Sequence, residues 1–398
     1  MTHLPQIGRR GLLLGLGTLA TMGRARLALA DAAPASAGQA RLVIVLLRGA
    51  LDGLSLAQPY AEPGWAELRG GLALPEPGRE GGVLDLGGRF GLHPKLTAIH
   101  GLYAANQAMV LHAVAAPYRT RSHFDAQDLL ESGAETRLSS GWLNRALTGL
   151  PEALGEPRPG LATGLDMPLL LRGDNPVGMY AATRGGRPDG DLYARLLDLN
   201  RDDPLLGPAM AEGLRARAFA EAKLPPEARR SNGFVALAAA AGRLLATPEG
   251  PRVAALESGG WDTHAQQAQR LDGPLAALDA GMAALAQALG EAWRHTAVLV
   301  MTEFGRTVRA NGNNGTDHGT GGVALLLGGA VAGGRIGGDW PGLGRDALLD
   351  NRDLRPTTDL RTVAKGLLRD HLGLPPAALA LAFPDSETAA PLGGLLRG

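Results

Sequence analysis

Arg41-Leu-Val-Ile-Val-Leu-Leu47 is an apolar run of β-branched and branched residues with no polar position inside it. A strand of that composition is buried on both faces, and a parallel sheet with helices on each side provides the cover. The pattern recurs at Ala108-Met-Val-Leu-His-Ala-Val114, Val253-Ala-Ala-Leu256, Thr296-Ala-Val-Leu-Val-Met301 and Val323-Ala-Leu-Leu-Leu327. Helical stretches alternate with these runs: Pro94 to Ala105, Ser122 to Ser132, Trp142 to Thr148, Thr263 to Ala292 and Leu360 to Leu372. In the longest of them Leu271, Leu275, Leu278, Met282 and Leu285 follow helical spacing. The alternation predicts an α/β fold with a mostly parallel central sheet flanked by helices. Residues of about 190–247, Ala/Leu/Arg-rich from 207 on, read as a helical insertion. The Gly- and Pro-rich stretches 60–94 and 151–190 read as irregular, with a strand at Leu169-Leu-Leu171.

The first thirty residues read as a targeting leader. Gly8-Arg9-Arg10-Gly11 holds a twin-arginine pair, Leu12 to Met22 is a short apolar stretch, and Ala28-Leu29-Ala30 is a small-x-small cleavage pattern. The expectation is a twin-arginine signal peptide over residues 1–30, a single mature domain over 31–398, and a periplasmic or secreted location. No later apolar run approaches the roughly 20 residues that cross a bilayer. The chain has no cysteine, so its core must hold without disulfides. Lys+Arg and Asp+Glu are both 39, which leaves no basic field for nucleic acid. Aromatic residues at 4% leave little for base stacking or a carbohydrate platform.

Ligands of such sheets gather beyond the carboxyl ends of the strands, and the chemistry-bearing residues follow the predicted strands there. Gly260-Trp-Asp-Thr-His264 sets Asp262 and His264 two residues apart, the strongest metal-ligand pair in the chain. Glu257 just before it reads as a third ligand or a surface acid. Asp52, in Arg48-Gly-Ala-Leu-Asp-Gly53, reads as a metal carboxylate or as a turn or helix cap. Ser122, in Arg119-Thr-Arg-Ser-His-Phe-Asp125, reads as the cap of a capping box or as a nucleophile at a helix N-terminus. Arg121 and Arg119 would then clamp anionic oxygens, and His123 shares a helix face with Gln127. Glu303 directly follows a buried strand and needs a partner, a cation or Arg306. Asp317 and His318 sit in the Gly-rich loop Asn311 to Gly322, with His318 a ligand or a general acid. Carboxylate with imidazole suits Zn, Mn or Fe, and a carboxylate-only subset suits Mg or Ca. The remaining histidines read as structural, His112 as a satisfied core residue.

Arg48-Gly-Ala-Leu-Asp-Gly53, Ser122-His-Phe-Asp-Ala126, Gly259-Gly-Trp-Asp-Thr-His264, Thr302-Glu-Phe-Gly-Arg-Thr307 and Asp317-His-Gly-Thr-Gly-Gly322, with the leader, resemble domain-of-unknown-function family 1501. That family is placed in the alkaline-phosphatase-like superfamily of phosphatases, sulfatases and phosphomutases. The resemblance implies an alkaline-phosphatase-like fold and an exported, metal-dependent hydrolase of phosphate or sulfate esters. It further implies a small anionic ester as substrate and a divalent metal (Zn, Mn, Ca or Mg) held by Asp52, Asp262, His264, Glu303, His318 and Asp317. Ser122 is then the nucleophile, with Arg121 and His123 beside it. The superfamily's Thr-Ser/Ala-Asp-His string is Thr302-Glu303-Phe304 here, and Phe304 cannot ligate. A non-catalytic ligand- or partner-binding envelope protein, working with another exported protein, is the rival expectation.

Overall fold

The computed structural model describes residues 39–150, 159–182, 190–204, 206–225, 231 and 233–398, so the expected leader lies outside the described residues. Among the described residues, nine strands form the main sheet: β1 (Arg41–Leu47), β2 (Ala108–Ala115), β3 (Gly160–Thr163), β4 (Val177–Tyr180), β5 (Val253–Ser258), β6 (Thr296–Thr302), β7 (Gly322–Leu327), β8 (Arg335–Gly337) and β9 (Thr358–Asp359). Their order is β8-β2-β7-β6-β1-β5-β3-β4, with β9 also beside β2. Every pairing is parallel except the two made by β7, which runs antiparallel to β2 and to β6.

The helices that matter for the site and its support are α1 (Gly53–Leu56), α2 (Thr97–Ala104), α3 (His123–Ser132), α4 (Trp142–Leu147), α5 (Phe234–Ala246), α6 (Gln267–Leu289) and α7 (Leu360–Asp370). They explain the unbroken apolar run of β1. Leu42, Ile44 and Leu46 enter a core shared with Trp142 and Leu147 of α4 and Leu367 of α7. Val43, Val45 and Leu47 enter a second core with Ile99 of α2, Leu244 of α5 and Leu278 and Met282 of α6. Alternate side chains thus meet a helix layer on each face, as a buried parallel strand requires.

Three departures from the sequence reading have local causes. Leu169–Leu171 is a 3-10 turn rather than a strand, and its Leu170 N–H goes to Glu131 Oε2 at 2.9 Å instead of to a neighbouring strand. The strands β3 and β4 lie in the Gly/Pro-rich stretch instead, four residues each, too short to announce themselves by periodicity. Helix α6 begins at Gln267, not at Thr263, because Gln266 takes the left-handed conformation at φ +49°. Within 190–247 the described helices are Gly190–Leu199, Leu206–Lys223 and α5. The last of these buries Leu237, Ala241, Leu244 and Leu245 against the sheet and belongs to its cover. No helix of the described residues is long and apolar enough to cross a membrane.

His112 is a core residue, but not a satisfied one. It is buried on β2, stacked on Phe90 at 5.0 Å and edge-on to Trp340 at 5.3 Å, and its ring nitrogens find no partner at normal hydrogen-bond geometry, the Ala57 backbone acting on it only weakly. Burial pushes its pKa down to about 4. The unfolded chain, with an ordinary histidine near 6.5, therefore binds more protons between those values, and stability must fall as pH drops through that window. About 3 kcal/mol is expected to be lost between pH 7 and pH 4 from this residue. Urea titrations across that range should show a drop that His112→Leu largely removes; equal pH dependence in both proteins would refute the assignment.

Candidate metal centre

β1, β2, β5 and β6 run in the same direction, so the loops after them open at one edge of the sheet. β7 runs the other way, and the loop before it reaches the same edge. This is how residues after four strands and ahead of a fifth come together. Two glycines let the loops close on one another. Gly49, at φ +118°, would put a Cβ 2.6 Å from the Asp262 nitrogen, and a Cβ on Gly315 would lie 2.3 Å from the His264 carbonyl. The glycine content near the acidic clusters thus serves contact between loops.

His123, Asp262 and His318 offer ligand atoms that all lie within 4.8 Å of one another. His264 joins them. Its Nε2 is 2.9 Å from His318 Nε2, which is in turn 2.9 Å from His123 Nε2. Asp262 Oδ1 stands 3.0 Å from His264 Nε2 and 3.5 Å from the Nε2 atoms of His123 and His318. Three imidazole nitrogens and a carboxylate oxygen form a compact donor set.

Each ring is fixed from outside through its other nitrogen. His123 Nδ1 meets Glu303 Oε1 at 2.7 Å, His318 Nδ1 meets the Arg121 carbonyl at 2.9 Å, and His264 Nδ1 meets Asp317 Oδ1 at 3.4 Å. A carbonyl and ionised carboxylates only accept, so each Nδ1 carries the proton and each Nε2 presents a lone pair inward. Lone pairs 2.9 Å apart repel unless a proton or a metal ion sits among them. Nitrogens on one tetrahedral zinc at Zn–N of about 2.0–2.1 Å stand about 3.3–3.4 Å apart, so His318 would need to move only a few tenths of an ångström further from each neighbouring ring. The donor set fits a borderline ion such as zinc better than Mg or Ca, which take oxygen.

The electrostatics follow from these bonds. Burial alone would raise the Glu303 pKa, but bonds from His123, Gln127, its own backbone and Thr302 hold it at about 2. The same bond from Glu303, ahead of the opposing burial, raises His123. Burial lowers His318, with the Arg121 carbonyl only partly offsetting it. Burial works to raise Asp262, yet the Arg306 guanidinium holds it below the usual carboxylate range.

Several expected site residues have other employment. Glu303 and Asp317, expected as metal ligands, contact the rings of His123 and His264 through their Nδ1 atoms. Asp52 lies outside the group that could hold an ion. It caps α1 through Leu54 N–H at 3.1 Å and pairs with the fully buried Arg69, with Ser55 Oγ at 2.9 Å and Gln267 Nε2 at 2.6 Å. Its oxygens are engaged in that network, apart from the histidine cluster. The Arg121 guanidinium pairs with a carboxylate of the protein itself, Nη2 binding the buried Asp353 at 2.7 Å. Its contribution to the site is the backbone carbonyl on His318, presented from φ +64°. Glu257 pairs with Arg48. The ion pair Glu303–Arg306 does not form. Arg306, 1% exposed, pairs with Asp262 and bonds the carbonyls of Gly49 and Ala50, both at 2.7 Å, and of Thr316 at 2.9 Å.

Ser122 is the N-cap of α3 but makes no side-chain capping bond, so the capping-box reading is not met. Gln127, one turn along α3, donates to Glu303 Oε1 at 2.9 Å, as the shared helix face with His123 suggested. Phe304 floors the centre, its ring 5.0 Å from those of both His123 and His318. Arg69, Gln267 and Asp353 gave no motif in the sequence. Only Gln267, four residues after Thr263, sat at a spacing worth reading.

Among solved structures, the chain is similar to the zinc complex of the C-terminal periplasmic domain of EcEptC from Escherichia coli, with 9% identity over 74% of each chain and a TM-score of 0.36. It is also similar to alkaline phosphatase from the Antarctic bacterium TAB5, with 12% identity over 74% of this chain and 93% of that one and a TM-score of 0.35. A third similar structure is the phosphonate monoester hydrolase of Agrobacterium radiobacter, with 11% identity over 84% of this chain and 74% of that one and a TM-score of 0.36. No curated protein matches the chain. The family model described as "Protein of unknown function (DUF1501)" matches residues 99–378, and the chain belongs to that family.

Proposed function

We propose that this chain is an exported, metal-dependent hydrolase of phosphate or sulfate esters, with a leader over residues 1–30, a mature domain over 31–398 and a periplasmic or secreted site of action. The observation that carries the reading is the inward convergence of three Nε2 atoms on Asp262, each ring fixed from outside. His123, His264, His318 and Asp262 would hold the ion, with Glu303, Asp317 and the Arg121 carbonyl setting their tautomers. A bound divalent ion would supply positive charge for the anionic oxygens of an ester and for an activated oxygen nucleophile. Phe304 closes the centre from below with apolar surface, which keeps water off that side of the imidazoles. Ser122, which makes no side-chain capping bond, would be the nucleophile. The choice of phosphate or sulfate follows the resemblance of the strand-end motifs to the phosphatase and sulfatase superfamily.

The second reading is a non-catalytic ligand- or partner-binding envelope protein. It is favoured by the internal pairing of Asp52, expected on the metal, with Arg69 and of Arg121, expected on the substrate's anionic oxygens, with Asp353.

The test is a panel of phosphomonoesters, phosphodiesters and sulfate esters offered to the metal-supplemented mature protein. Turnover of at least one class is expected, with kcat falling by about 100-fold or more in Ser122→Ala. Metal retention without turnover of any ester would leave only the binding reading.

A further inference from the structure

Gln267 is the first residue of α6 and is fully buried. The left-handed Gln266 before it and the backbone bond from Gln267 N–H to the Asn314 carbonyl at 2.8 Å turn the helix start beneath the site loops. Its amide then makes four hydrogen bonds. Oε1 accepts from Thr263 Oγ1 at 2.9 Å and from Thr316 Oγ1 at 2.6 Å. Nε2 donates to Asp52 Oδ2 at 2.6 Å and to Ser55 Oγ at 3.0 Å. A carboxylate cannot donate, so the Asp52 contact fixes which end of the amide is which. Both N–H groups and both lone pairs of the amide are used.

The two threonines are the informative partners. Thr263 lies between Asp262 and His264, and Thr316 lies two residues before His318. The loops carrying them also bond directly, Thr316 N–H to the Thr263 carbonyl at 3.3 Å. The geometry points to Gln267 as a positioning residue that holds the Asp262–His264 loop and the His318 loop in register, so that their donor atoms meet around an ion. This rests on the metal-centre reading above. Gln267 touches no ligand atom and acts through the two threonines. Asp52, Ser55 and Arg69 are its anchor, which gives the buried carboxylate after β1 a role in the site without metal contact.

A spacer that only fills the core would affect folding, whereas one that sets loop register must affect affinity for the ion in the folded protein. The experiment titrates zinc into the metal-free full-length protein by calorimetry for wild type, Gln267→Met and the double variant Thr263→Val/Thr316→Val, with thermal melting of each metal-free protein in parallel. Gln267→Met keeps length and removes all four bonds; the threonine pair cuts the loop bonds and leaves Gln267 on Asp52. A 10–100-fold loss of zinc affinity is expected in both, the range typical of groups that orient metal ligands. If Gln267→Met fails to fold, the threonine pair decides alone. Affinity within twofold of wild type in the folded variants, with only a lowered melting temperature, overturns the positioning role and leaves the metal centre standing. A wild-type protein that binds no zinc overturns both. Zinc binding that depends on Gln267, with no ester hydrolysed, sinks the hydrolase reading alone.

Discussion

His318→Ala is expected to lower zinc affinity by about a hundredfold or more. His318 is the middle of the donor set, with Nε2 2.9 Å from the corresponding atoms of both His123 and His264. Sharing the roughly 10–16 kcal/mol of a zinc site among four ligands gives about 3 kcal/mol for each, which is about two powers of ten in affinity. The loss at His318 should exceed that share, because its ring links the other two imidazoles. Glu257→Ala is the control, since Glu257 lies at the same sheet edge yet pairs with Arg48 rather than with any of the histidines. Zinc content after passage over a desalting column, measured by elemental analysis, separates the cases. Full retention in His318→Ala would refute the assignment of the centre.

Arg306→Leu should destabilise the metal-free protein by about 2–4 kcal/mol, chiefly because buried carbonyls lose their donor. The guanidinium is buried and pairs with Asp262, while bonding the carbonyls of Gly49, Ala50 and Thr316. Leucine fills part of the space and leaves those carbonyls without a donor. Because the carbonyls belong to the loop after β1 and the loop before β7, the loss should be cooperative and visible as a lower urea midpoint with an unchanged slope. Wild-type stability in this variant would show that the loops hold each other without Arg306.

The sheet was legible because its strands are buried on both faces, and Arg41–Leu47 and Thr296–Thr302 can be little else. The shorter strands Gly160–Thr163 and Val177–Tyr180 were not, since four residues among Gly and Pro carry no period. At the site, residue types and loop positions picked out Asp262, His264, His123 and His318, which the structure brings together. The division of labour among the carboxylates did not show. Asp52, Glu303 and Asp317 have the same donor atoms as Asp262. What separates them is a partner far along the chain: Arg69 for Asp52, His123 for Glu303 and His264 for Asp317. Arg121 illustrates the same limit. Its side chain drew attention, while its carbonyl does the work at His318. Pairings over such separations are a product of the fold, and a single sequence has no local pattern that records them.

The convergence of loops has a mechanical side. His123 and His318 are 195 positions apart, and His264 and His318 are 54 apart. An ion held by all of them would be a cross-link between distant parts of a chain that has no cysteine to form one. Closing a loop of about 200 residues removes on the order of 5 kcal/mol of unfolded-state entropy in the chain-entropy treatment of disulfides. The proposed metal would therefore serve this protein as a removable staple, so that chelators loosen the whole sheet edge and the supply of ion in its surroundings governs how long the folded chain persists.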